Sequence, residues 1–249
     1  MSVSNRTRSV PAEPPCVAAD RIATSRGVKE FLRENGLSVV LFGLFLLFLL
    51  GQSVTGWLVY NDDAREHGQR MVAFLSYLLT GHFWEAVFEN WESEFFQMAA
   101  FVALTACLYQ KGSAESKKLP EEGENPQDED PNEQRDNPDA PGPVRAGGWR
   151  LWLYERSLCT ALSILFLISF IGHAIGGAKE YSQEQLAHGQ HAVSTLQFMG
   201  TPQFWFESMQ NWQSEFLAVF FLVVLSIWLR GKGSSQSKPV AAPHSETGV

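Results

Sequence analysis

Long apolar runs alternate with short polar stretches along this chain, and run length sets the first expectation. Leu37–Tyr60 carries no charged residue. At 1.5 Å of rise per residue a helix of that length crosses a hydrocarbon core of about 30 Å. Phe95–Tyr109, Leu158–Gly177 and Phe216–Leu229 are three further apolar runs. The second and fourth are short alone and reach spanning length if their helices begin near Trp91 and Trp212. The first run follows a long polar tail and no small-x-small cleavage site comes after it, so an uncleaved span is expected.

Basic residues orient these spans. Arg21, Arg26, Lys29 and Arg33 precede the first, and Lys111, Lys117 and Lys118 follow the second. Arg145, Arg150 and Arg156 precede the third, and Arg230, Lys232 and Lys238 follow the fourth. The loop between spans one and two offers only Arg65 and Arg70, and the loop between three and four only Lys179. The positive-inside rule then puts both termini and the central linker in the cytoplasm.

The pattern also repeats. His67-Gly68-Gln69 recurs as His188-Gly189-Gln190, an offset of 121 residues. The same offset pairs Gly51 with Gly172, Gly56 with Gly177, Tyr60 with Tyr181 and Phe83-Trp84 with Phe204-Trp205. It pairs Asn90-Trp91-x-Ser93-Glu94-Phe95 with Asn211-Trp212-x-Ser214-Glu215-Phe216, and Lys111-Gly112-Ser113 with Lys232-Gly233-Ser234. Each copy holds two spans, so both enter the membrane from the same side, unlike inverted transporter repeats. The predicted fold is therefore an all-α membrane protein, with four transmembrane helices from a parallel tandem repeat of a two-helix hairpin. Thr80 and Thr201-Pro202 read as N-caps of short helices that lie along the membrane surface in the outward loops.

Composition refines this division. The mean hydropathy of −0.10 mixes polar ends with apolar blocks. The net charge of −8 comes mostly from one acidic, proline-rich stretch, which argues against nucleic acid as a partner. Residues 1–33 are expected to be a disordered cytoplasmic tail, 34–111 the first two-span repeat and 112–148 a disordered acidic linker. Residues 149–232 are the second repeat and 233–249 a second disordered tail. Cys16, Cys107 and Cys159 have no metal-ligand spacing and are expected to be reduced.

Candidate chemistry is sparse. Asn90, Ser93, Glu94 and Gln97 share one helix face, and Asn211, Ser214 and Glu215 repeat it. Paired carboxylates there would hold a cation, or Asn90 and Asn211 would simply cap helices that start at the membrane surface. His67, Gln69, His188 and Gln190 lie in the outward loops, either as ligands joining Glu94 and Glu215 or as turn residues around glycine. Gln52 and His173 occupy the same repeat position inside spans one and three. An ionisable group there marks a functional site or an interhelical hydrogen bond beside the small-residue contact of Gly172 and Gly176. Ala99, Ala103 and Ala106 offer a similar packing face. No catalytic triad, phosphate loop, haem or dinucleotide motif is present, and no cofactor is expected.

The chain resembles a family of bacterial membrane proteins known only as a domain of unknown function. The resemblance rests on Arg33-Glu34-Asn35-Gly36-Leu37-Ser38, Gly51-Gln52-Ser53, Gly56-Trp57 and His67-Gly68-Gln69. It continues through Gly81-His82-Phe83, Glu89-Asn90-Trp91-Glu92-Ser93-Glu94-Phe95 and Lys111-Gly112-Ser113-Ala114-Glu115-Ser116-Lys117. The second copy departs at Gln203, Gln210 and Gln213, so any role of His82, Glu89 or Glu92 is not duplicated. The resemblance implies a bacterial plasma membrane and no activity. Three functions stay open: a non-catalytic structural or interaction protein of the envelope, an oligomeric small transporter or channel subunit, and a membrane-embedded metal-dependent enzyme. The expected partners are the lipid bilayer and either further copies or other envelope proteins.

Overall fold

Helix α1 spans Ala18–Glu66 and is broken once, at Asn35, whose φ of −117° and ψ of 15° leave the helical region. This computed structural model describes residues 18–248, with side chains from residue 27 onward. Cys16 and the first part of the expected tail lie outside the described residues, whereas the stretch from Ala18 to Arg33 is helical. The break at Asn35-Gly36 separates that polar stretch from the apolar run beginning at Leu37. The chain divides into two units, residues 1–71 and 72–249.

The second unit begins with α2 (Phe74–Tyr77) and α3 (Gly81–Cys107). Thr80 caps α3 by accepting from the Phe83 backbone N–H at 3.3 Å. The acidic linker carries three 3-10 turns, each opened by a proline, then α4 (Gly142–Ala146) and α5 (Gly148–Glu155). Proline suits the first position of such turns because its missing N–H would be unpaired there anyway. Arg156, with φ −106° and ψ 2°, breaks α5 from α6 (Ser157–Ala187). After α7 (Thr195–Met199), Thr201 caps α8 (Pro202–Leu225) with the same 3.3 Å bond to Phe204 N–H.

The protein is all-helical, with no strands among the described residues. Two of its helices are long and apolar enough to cross a membrane, Gly27–Glu66 within α1 and Ser157–Ala187. In both, large apolar side chains such as Leu47, Phe48, Leu167 and Ile171 are exposed, a surface that lipid rather than water suits.

Helix α3 packs along α6 and also meets α8. Glycine sets the first contact. A Cβ on Gly172 would stand 2.5 Å from the Phe88 ring, and one on Gly176 would stand 2.7 Å from the Glu85 backbone nitrogen. The two glycines, four apart, are the small-residue contact expected from the sequence, and Ala99 is buried further along α3. Ala103 and Ala106 are exposed instead. An aromatic wall joins α6 to α8: Phe170 and Phe204 centroids are 5.3 Å apart, and Phe96 of α3 meets Trp212 at 4.6 Å. Phe198 of α7 closes it, fully buried against Ala174, Ala178 and Phe204.

At the opposite end, the C-terminal segment packs on the turn after α3. Lys238, 1% exposed, donates to the carbonyls of Gly112, Pro243, His244 and Glu246. Burial, with Arg230 nearby, holds its ammonium below the ordinary lysine range. Cys107 and Cys159 are free thiols.

Candidate functional site

The close approach at Gly172 and Gly176 aligns one face of α3 with His173 of α6. Glu85, Glu89 and Glu92 fall at i, i+4 and i+7, so all three point along that face. His173 is wholly buried, as is Glu92. The imidazole Nδ1 lies 2.7 Å from Glu92 Oε2, and its Nε2 lies 3.3 Å from Glu207 Oε2 on α8. The second oxygen of Glu92 accepts the Trp212 indole N–H at 3.0 Å. Phe204 stacks on the imidazole, centroids 4.8 Å apart.

Around this core the remaining carboxylates are positioned by amides. Asn211 donates to Glu89 Oε1 at 2.5 Å, and Gln203 donates to Glu207 Oε1 at 2.5 Å. A ligand atom of Glu85 lies within 4.8 Å of those of His173 and Glu207. Glu85, Glu89 and Glu207 line a cleft of about 290 Å³ together with Glu180, Glu184 and His82, while His173 and Glu92 lie buried behind it. Among the described residues, the hydrogen bonds of Glu89, Glu92 and Glu207 go to imidazole, amide and indole groups and none to Lys or Arg. Four carboxyl groups gathered about one imidazole outnumber the one group among them that can be cationic. Such an arrangement attracts protons or metal cations.

The expected site residues divide. His173 and Asn211 belong to the cluster. Asn90 is exposed and donates to the Ala86 carbonyl at 2.7 Å. Ser93 and Ser214 donate to the carbonyls of Asn90 and Asn211, each at 2.8 Å. Glu94 is exposed and Glu215 half-buried, near enough for their charges to repel. Neither asparagine caps a helix: α3 starts at Gly81 and α8 at Pro202, so both sit well inside. The helix expected to lie along the surface from Phe83 to Phe88 is instead the first part of α3.

His67 and His188 are exposed, with Nδ1 3.0 Å and 2.9 Å from the carbonyls of Asp63 and Glu184. Gly68 and Gly189, with φ of 67° and 73°, end α1 and α6 in the left-handed conformation. Gln69 and Gln190 close those ends through their backbone N–H groups, bonded to Ala64 and Gln185. The triplets are helix C-caps. Gln52 is half-buried on α1.

Glu85, Glu89, Glu92 and Glu207 were not among the expected site residues. Their signal was present: three glutamates at helical spacing on one face of an otherwise apolar helix. Of the four, none has a glutamate at the position 121 residues away.

The fold and the cluster define a class, an all-helical protein with two candidate membrane-crossing helices and a buried histidine held among carboxylates. The chain belongs to the DUF6766 family, a domain of unknown function, matched over residues 28–249. No curated protein and no solved structure matches the chain.

Proposed function

We propose that this is a multi-pass protein of the bacterial plasma membrane that binds cations at the His173 cluster and acts as a small transporter or channel-type subunit. One observation carries the reading: Glu85, Glu92 and Glu207 gather about a single imidazole, and Glu85, Glu89 and Glu207 line the cleft beside it. A purely structural bond between helices needs one donor and one acceptor. Gathering further carboxylates without Lys or Arg destabilises the helices unless a cation neutralises them.

Four spans are part of the reading. Helix α3 has 27 residues and α8 has 24, about 40 and 36 Å at 1.5 Å each. Their later halves expose Met98, Leu104, Phe220 and Phe221, as a lipid-facing helix does. The tandem repeat is supported by local geometry. The helix breaks at Asn35 and Arg156 stand 121 residues apart, as do the starts of α2 and α7 and of α3 and α8. With both termini inside, α2 and α7 lie at the outer surface and the cleft opens outward.

A second reading has its own support. The same hydrogen bonds of His173 join α3, α6 and α8, which suits a non-catalytic scaffold of the envelope. Reconstitution separates the two. Purified protein in liposomes is expected to speed proton or divalent-cation uptake over empty vesicles, and His173→Gln to abolish the gain. Uptake equal to empty vesicles would rule out transport and leave the scaffold.

A further inference from the structure

We infer that Glu85, His173 and Glu207 form a binding site for one divalent first-row transition-metal ion. The inference rests on the cation-binding reading and names the class of cation.

Each ring nitrogen of His173 faces a carboxylate oxygen, Nδ1 at 2.7 Å and Nε2 at 3.3 Å. Lone pairs of nitrogen and oxygen do not approach that closely with nothing between them. A proton fits the shorter gap, and with it on Nδ1 the ring presents the Nε2 lone pair toward Glu207 and Glu85. The longer gap is filled by an Nε2–H donor when the ring carries both protons, and by a metal ion when the ring is neutral. Two tetrahedral ligands about 2.1 Å from one ion stand roughly 3.4 Å apart, close to the observed 3.3 Å. The third ligand, from Glu85, lies within the same 4.8 Å group and reaches the ion by a side-chain rotation.

Glu92 supplies the observation that an acidic cluster alone lacks. It is wholly buried, accepts from Nδ1 of His173 and is itself fixed by Trp212. A carboxylate behind the imidazole is what orients a metal-binding histidine and raises its basicity. Phe204, stacked on the ring, prevents rotation. Gln203 similarly holds one oxygen of Glu207, leaving the other for the ion. Open coordination positions face the cleft of about 290 Å³, which is the access route. One imidazole and two carboxylates form a mixed nitrogen and oxygen set, which suits Zn²⁺ or Mn²⁺ above Ca²⁺ or Mg²⁺.

The test uses the full chain, purified in detergent and stripped of metal, titrated with Zn²⁺ and Mn²⁺ against a chromophoric chelator. One ion per chain is expected. Glu85→Gln and Glu207→Gln should weaken binding by at least ~100-fold, and Glu92→Gln by about 10–100-fold. Glu184→Gln on the cleft and Glu94→Gln on the far side of α3 should bind as the parent does. Failure of the parent protein to bind either ion stoichiometrically overturns the proposal whatever the variants do. Undiminished binding in Glu85→Gln and Glu207→Gln also overturns it, as does equal loss in Glu184→Gln, which would mean diffuse attraction to acid. If no metal binds while His173→Gln still abolishes proton uptake into liposomes, the metal site fails and the cation reading stands. If both measurements are negative, both fail.

Discussion

Helices α3 and α8 occupy paired positions in the sequence, begin with the same threonine cap and diverge along one face. Where α3 has His82, Glu89 and Glu92, α8 has Gln203, Gln210 and Gln213. Where α8 has Glu207, α3 has Ala86, and where α6 has His173, α1 has Gln52. Glu92 is wholly buried against His173, whereas Gln210 and Gln213 are exposed. What the two stretches of sequence share starts and ends helices: threonine caps and glycine C-caps. What they do not share builds the cleft. The physical reason is charge. A carboxylate in place of Gln203 would add to the charge about the cleft, whereas its amide donates to Glu207.

The sharpest way to break this comparison is to remove Glu92 and its counterpart. Glu92→Ala leaves the Nδ1 of His173 and the indole N–H of Trp212 buried without their acceptor. The loss is expected to be about 3–5 kcal/mol of unfolding free energy, the range for breaking a buried pair from one side. Gln213→Ala is expected to stay within about 0.5 kcal/mol, since an exposed amide has water as an alternative. Denaturant titration in detergent, followed by circular dichroism, measures both. Equal losses would mean that α3 and α8 carry the same burden and that the asymmetry is only one of residue names.

The glycines give a second, smaller contrast. Gly176→Ala would set a Cβ 2.7 Å from the Glu85 backbone nitrogen, and Gly172→Ala would set one 2.5 Å from the Phe88 ring. Each is expected to cost about 1–3 kcal/mol, because a helix backbone must retreat to admit the methyl. Retreat of α3 carries Glu85 away from His173, so metal affinity should fall together with stability. Gly51, paired with Gly172 in sequence, meets no described atom within 4 Å if given a Cβ. Gly51→Ala should be neutral or stabilising by up to about 1 kcal/mol through helix propensity. Melting curves of the three variants decide it, and a loss in Gly51→Ala as large as in Gly172→Ala would refute the contrast.

Parts of this architecture are legible in the amino-acid sequence alone. Uncharged runs of span length announce α1 and α6, and Thr80 and Thr201-Pro202 announce where α3 and α8 begin. The Gly172 and Gly176 spacing announces a close helix contact beside His173. The helix start expected near Trp91 falls well inside α3, which begins at Gly81, for a physical reason. The first half of α3 lines a polar cleft, so Glu85, Glu89 and Glu92 interrupt the apolar pattern that marks a span, and Asn90 then resembles a cap. The partner of His173 is not legible at all. Glu92 is 81 residues away, and neither spacing nor repetition chooses it over Glu94, two positions further on. That choice is made by rotation of α3 about its axis, which the glycine contact fixes. The shared pair Glu94 and Glu215 stands out because repetition is easy to see, whereas one asymmetric cluster about His173 leaves no repeated trace.

The smallest effects test where the two halves should agree. Gly68 and Gly189 both hold positive φ at the ends of α1 and α6, so Gly68→Ala and Gly189→Ala should each cost about 1 kcal/mol. The histidines beside them touch only their own helix ends, with Nδ1 near the carbonyls of Asp63 and Glu184. His67→Ala and His188→Ala should therefore stay within about 0.5 kcal/mol and leave Zn²⁺ affinity unchanged. Calorimetric titration of each variant beside Glu85→Gln makes the comparison direct. A tenfold fall in affinity in His188→Ala would place a ligand in the loop after α6 and move the site away from His173. Unchanged affinity, with the glycine penalty equal in both halves, would confine the shared triplets to ending helices and leave binding to the residues that differ.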